Sequence, residues 1–87
     1  MIQEAVNRVR KMEQCFAVLQ KAENENPDVF REDASIQAML QILVQYYESG
    51  QWLKDYELDE KGLLPQSLKR GILAQDAVYD FLCRIKV

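Results

Sequence analysis

The residues able to do chemistry in this chain crowd into one stretch. Between Glu48 and Gly62 stand Glu48, Asp55, Glu57, Asp59 and Glu60 against only Lys54 and Lys61, together with the single tryptophan, Trp52. Carboxylates suit hard divalent cations, and a metal held by them can activate water without help from any other side-chain type. Asp55, Asp59 and Glu60 are the candidate ligands for such a carboxylate-dependent enzyme. The string Asp55-Tyr56-Glu57-Leu58-Asp59 matches the opening of a calcium-binding loop. Glu60, however, stands where that loop turns on Gly, and Gln66 where it closes with Glu, so the pattern fails at both positions. The chain has no histidine, which removes Ser-His-Asp and Cys-His catalysis, imidazole metal sites and the commonest general base.

If the acidic stretch is helical, Trp52, Leu53 and Tyr56 turn to one side. A step of about 100° per residue then places Asp59 and Glu60 on or beside that side, facing the protein. Carboxylates taken out of water need partners, and the adjacent bases Lys69 and Arg70 are the nearest along the chain. The favoured reading of these charges is a structural network with Lys69, Arg70 and the amides of the turns after Gly62 and Gly71, pinning an irregular loop. A second reading makes Trp52, Tyr56 and their acidic neighbours a docking surface, since aromatic side chains anchor interfaces when exposed. Exposure of Trp52 and Tyr56 would favour docking. Convergence of three carboxylates would favour the metal enzyme.

The elements that must position these residues are helices. Ile2, Ala5, Val9, Met12, Phe16 and Leu19 recur three and four apart and predict a first helix ending near Lys21 or Ala22. Asn26 before Pro27, and again Asp33 with Ser35, offer two starts for the next one, which Ser49-Gly50 closes. A short helix is predicted from Gln51 to about Lys61, ended by Gly62, and one further turn between Pro65 and Arg70. The last helix starts near Gln75 or Asp76, with Asp76 at its positive end and Val78, Leu82 and Ile85 on one face. The expected core holds Val9, Met12, Phe16, Leu19, Ile36, Leu40, Leu43, Trp52, Leu73, Val78 and Leu82. Tyr46 and Tyr47 are adjacent, so both cannot face one core.

Composition agrees with this pattern. In 87 residues, 48% hydrophobic and 29% charged with three glycines and two prolines, helix formers dominate and a single folded domain is expected. The net charge of −3 without a basic cluster disfavours nucleic acid as a partner. No apolar run is long enough to span a membrane, and Glu4, Arg8, Arg10 and Lys11 stand where a signal peptide would be apolar, which predicts a cytoplasmic protein. Cys15 and Cys83 lie beside apolar neighbours and are expected to behave as small buried hydrophobes, reduced in that compartment.

The segment from Tyr46 to Leu82, with its YYxSGxWLxDYxxDExGxLPxxLKRGxLxxDxxYDxL order, resembles a family of small bacterial proteins known as a domain of unknown function of the DUF4298 type. The resemblance implies no activity, cofactor or partner. Where this chain has Ala74, the family pattern often has Ser, which would cap the last helix. The expectation is therefore one all-α domain over residues 1–87. Residues 1–45 would form an antiparallel hairpin of two long helices, and two or three shorter helices, carrying the family segment 46–82, would pack across it. With catalytic chemistry thinned out, the expected role is a small protein-interaction or adaptor module, without a cofactor, for an unidentified protein partner. Its oligomeric state is left open. The runner-up is the divalent-metal enzyme built on residues 55–60.

Overall fold

The N-terminal apolar stripe becomes helix α1, Ile2–Glu25, in the computed structural model, which describes residues 2–74 and 76–85. Ala5, Val6, Val9, Met12, Cys15, Phe16 and Leu19 form its buried face. The helix outruns its apolar stripe because Glu23, Asn24 and Glu25 do not oppose helix sterically. Pro27 does, by driving the residue before it into extended backbone, and Asn26 sits at φ −156°, ψ 92°.

Both predicted starts of the next segment are used. Asn26 accepts a hydrogen bond from the Val29 N–H at 3.2 Å and opens α2, Pro27–Glu32; Asp33 accepts from the Ile36 N–H at 3.1 Å and opens α3, Ala34–Glu48. Two capping residues seven positions apart split what apolar periodicity alone reads as one helix. Gly50, at φ 93°, links α3 to α4, Gln51–Glu60. The end of α4 is a Schellman motif: the Leu63 N–H donates to the Leu58 carbonyl at 3.0 Å and the Gly62 N–H to that of Asp59 at 3.0 Å, with Gly62 left-handed at φ 71°.

After that motif the chain is irregular. Leu64 and Leu68 turn inward, and the Leu68 N–H donates to the Pro65 carbonyl at 3.1 Å. This is the turn expected between Pro65 and Arg70, and a 3₁₀ turn follows it over Gly71–Leu73. Helix α5 is Ala77–Ile85, and Gln75, one of its two predicted starts, lies outside the described residues.

Helix α1 packs against α2, α3 and the 3₁₀ turn; α3 meets α4; and the 3₁₀ turn also touches α4 and α5. Phe81 of α5 is buried edge-on between Phe16 and Phe30, with ring centroids 5.4 and 6.4 Å away. The molecule measures 39 × 19 × 18 Å, its long axis set by α1 at about 1.5 Å per residue. Among the described residues every regular element is helical, and no helix is long and apolar enough to cross a membrane.

Three expectations for the core are corrected. Ile36 and Leu40 are half-buried, because α3 is covered by α1 and α2 on one side while α4 reaches it through Tyr46 and Tyr47. Cys83 is exposed: Val78, Phe81 and Leu82 take the inner face of α5, which leaves Tyr79 and Cys83 outside. Tyr46 and Tyr47 both turn inward, toward different neighbours described below.

Candidate functional site

Asp55 is fully enclosed, at 0% exposure, and is the one buried charged residue among those described. Such a carboxylate is tolerated only with its charge and lone pairs answered. Arg8 of α1 answers the charge with a fork, Nε donating to Oδ2 at 2.9 Å and Nη2 to Oδ1 at 2.6 Å. The Tyr46 hydroxyl of α3 donates to Oδ2 at 2.7 Å. One side chain from each of α1, α3 and α4 thus meets at a single point. Burial, followed by the bond to Asp55, pushes the Tyr46 hydroxyl far above its ordinary pKa, and the bond to Asp55 raises that of Arg8. Tyr46 therefore stays a donor and Arg8 stays charged. The cluster joins three helices through one enclosed carboxylate.

One turn before Asp55, Trp52 is buried. Its ring stacks on Tyr56, with centroids 5.1 Å apart and planes at 11°, and tilts against Tyr47 at 5.4 Å. Its Nε1–H donates to the Ile72 carbonyl at 2.8 Å. The Ile72 N–H donates to Glu13 Oε2 of α1 at 2.7 Å, so α1 and α4 hold the 3₁₀ turn by both sides of one residue. A Cβ at Gly71 would lie 2.9 Å from Glu13 Oε1, so a side chain there would displace the carboxylate that holds Ile72.

Arg70 reaches back to α4. Its Nη1 donates to Asp59 Oδ1, Nη2 donates to the Pro65 carbonyl and Nε to that of Leu68, the last at 3.3 Å. The ion-paired side chains of Arg70 and Asp59 are 34% and 21% exposed, so water screens much of the attraction. Arg70→Met is accordingly expected to lower the unfolding free energy by no more than about 1 kcal/mol, because half-buried Asp59 keeps access to water when its partner is lost. Urea unfolding checks this; a loss of about 3 kcal/mol would mean that the pair behaves as buried.

The remaining candidates lie apart. Glu60 and Lys69 are exposed, and the Glu60 carboxylate beside the Tyr56 hydroxyl raises that group's pKa. Asp76 is exposed in the turn before α5, where its backbone carbonyl accepts from the Asp80 N–H at 2.8 Å. The inward direction expected for α4 is corrected: Leu53 and Glu60 face solvent, Asp59 is half-buried, and Asp55 takes the protected place. Counting Leu53 as an inner residue turns the projected face away from Asp55, and Leu53 is 52% exposed. Asp55, Asp59 and Glu60 do not converge, and among the described residues no three His, Cys, Asp or Glu side chains gather as metal ligands.

The sequence reading misses Arg8, Tyr46 and Glu13 as members of this network. One trace of Arg8 is legible: it stands three residues after Ala5 and four before Met12, so it interrupts an apolar stripe with a charge. A second feature without forewarning is a groove between α1 and α3. One part, of about 310 Å³, is lined by Lys11, Met12, Cys15, Val18, Met39 and Ile42, and it adjoins a part of about 530 Å³ bounded by Asn7, Arg8, Gln45, Tyr46 and Ser49. Val18 and Ile42 are each 45% exposed on its walls. The Cys15 thiol donates to the Met39 carbonyl at 3.4 Å across its floor, and burial raises its pKa.

A family model described as a domain of unknown function, DUF4298, matches residues 9–86. No curated protein and no solved structure matches the chain.

Proposed function

The chain belongs to the DUF4298 family, a domain of unknown function, and we propose that it is a small protein-interaction module whose docking surface is the α1–α3 groove. The observation that carries this reading is the pair of apolar walls, Val18 and Ile42, left half in water on two regular helices above a floor of Met12, Cys15 and Met39. Apolar side chains grouped along a groove and held on a rigid scaffold are what a partner helix recognises. The acidic and aromatic segment serves the scaffold instead, since Trp52, Asp55 and Asp59 are all engaged internally. No observation favours the divalent-metal alternative.

We also infer that α1 and α3 run antiparallel, as the two long arms of a hairpin. In support, contacts descend along α1 as they ascend along α3: Cys15 meets Met39, Met12 shares a cavity wall with Ile42, and Arg8 shares Asp55 with Tyr46. A reducing, cytoplasmic setting is part of the proposal and accords with Cys15 and Cys83 standing as free thiols.

A photoreactive residue placed at position 42 is expected to form a discrete protein adduct in cells, and one at exposed Glu57 of α4 is not. Val18→Asp should abolish the adduct at position 42 while leaving the helical circular dichroism and unfolding midpoint close to the parent's. Equal adducts from both positions, or adducts indifferent to Val18→Asp, would remove the groove from consideration.

A further inference from the structure

Resting on that docking reading, we infer that the occupant of the α1–α3 groove is an amphipathic helix of another protein, about three turns long, which lays carboxylates against Lys11. The length follows from the walls: Asn7 to Val18 on α1 and Met39 to Ser49 on α3 each span about 15 to 17 Å at 1.5 Å per residue. The helical form follows from the neighbours. Two helices offer side-chain ridges with their own backbone bonds closed, so an extended peptide would find no strand edge to pair with, whereas a third helix sets its apolar side chains between the ridges.

The charge of the occupant follows from the lining. The chain carries a net charge of −3, yet the residues bordering both parts of the groove include Arg8 and Lys11 and not one carboxylate. Arg8 spends its charge on Asp55 through Nε and Nη2. Lys11 borders both parts, so it stands near the middle, is exposed, and has no ion pair among the described residues. A helix with Glu or Asp along one rim would meet that cation, and one with Lys or Arg there would be repelled. A second copy of this chain laid groove to groove fits poorly for the same reason, because the two-fold pairing would bring Lys11 toward its own equivalent.

The test uses the full chain and three fluorescein-labelled helical peptides of about 16 residues. They share one apolar face with Leu or Ile at i, i+4 and i+7, and they carry Glu, Gln or Lys along the rim. Fluorescence anisotropy at low salt is expected to rank them Glu, Gln, Lys, with about five- to tenfold between the extremes, shrinking in 0.5 M salt. Lys11→Glu should invert the ranking, and Ile42→Asp should abolish binding of all three with the circular dichroism unchanged. Equal affinity for the Glu and Lys peptides, still lost in Ile42→Asp, would overturn the acidic-helix inference and leave the docking reading standing. No binding above a scrambled peptide, or binding indifferent to Ile42→Asp, would overturn both. Sedimentation showing a dimer that Ile42→Asp dissociates would give the groove to a second copy and overturn the inference in that way.

Discussion

Arg8→Met is expected to lower the unfolding free energy by about 3 kcal/mol, a large share of what a domain of this size has. Methionine keeps the length and most of the packing of the arginine stem while removing the fork. Asp55 then stays fully enclosed with Tyr46 as its only remaining donor. Removing one partner of a buried pair costs about 3 to 5 kcal/mol, and the 31% exposure of the Arg8 side chain argues for the lower end, because water can reach part of the vacated place. At roughly 4 to 8 °C per kcal/mol, the midpoint of thermal unfolding should fall by about 12 to 24 °C. The double variant Arg8→Met with Asp55→Asn should lose clearly less than the sum of the single changes, since the second change removes the charge that the first leaves stranded. Strict additivity in urea, followed through the fluorescence of Trp52, would show that the two side chains are not coupled.

The third member of the cluster gives the same prediction a pH axis. The Tyr46 hydroxyl is raised above its ordinary value of 10.0 by burial first and by its bond to Asp55 second. Between the unfolded and folded values the folded chain therefore holds a proton that the unfolded chain has released. The corresponding stability is fully present below pH 10 and is lost as pH rises, by about 1.4 kcal/mol per pH unit. Tyr46→Phe should remove that slope from the alkaline limb. An unchanged alkaline limb would place Tyr46 in water.

What the sequence discloses about this fold is local in range. The α1 stripe, the caps at Asn26 and Asp33 and the stop at Gly62 depend on neighbours three to five residues away, and a reader of the chain can find them by spacing. The contacts that hold the helices together are not of this kind. Arg8 and Asp55 are separated by 47 residues and Glu13 and Ile72 by 59, and neither spacing has a periodicity to betray it. Tyr46 and Tyr47 show why even a sound local rule misleads. Two adjacent helical residues point about 100° apart, yet both pack on one core here, because α3 has neighbours on two sides. Tyr46 reaches the Arg8–Asp55 pair while Tyr47 reaches Trp52. The groove was illegible for a related reason: Met12 reads as a core position, Ile42 falls outside the stripe of Ile36, Leu40 and Leu43, and only the packing of α1 on α3 brings the two onto one outward-facing surface.

Trp52→Ala is expected to cost about 4 kcal/mol, and Trp52→Phe roughly half of that. The alanine variant leaves a cavity between Tyr47 and Tyr56, whose rings lie 5.4 and 5.1 Å from the indole. It also takes from the Ile72 carbonyl the donor that lies 2.8 Å away. Ile72 is completely buried, so water does not readily replace that donor, and of the two hydrogen bonds that hold Ile72 only the one to Glu13 would remain. Phenylalanine restores most of the ring contact and none of the hydrogen bond, so the gap between the two variants measures packing and the residual loss measures the N–H. Circular dichroism in urea reports both, since the substitution removes the only tryptophan. Equal losses from the two variants would mean that the hydrogen bond carries nearly the whole effect. The same pair of proteins separates scaffold from docking surface. At a temperature where it remains folded, Trp52→Phe should bind a groove peptide within about twofold of the parent, because its ring borders the 3₁₀ turn and not the α1–α3 groove. A large loss of peptide affinity in a folded Trp52→Phe chain would tie the aromatic shelf to recognition and return the acidic segment to the binding surface.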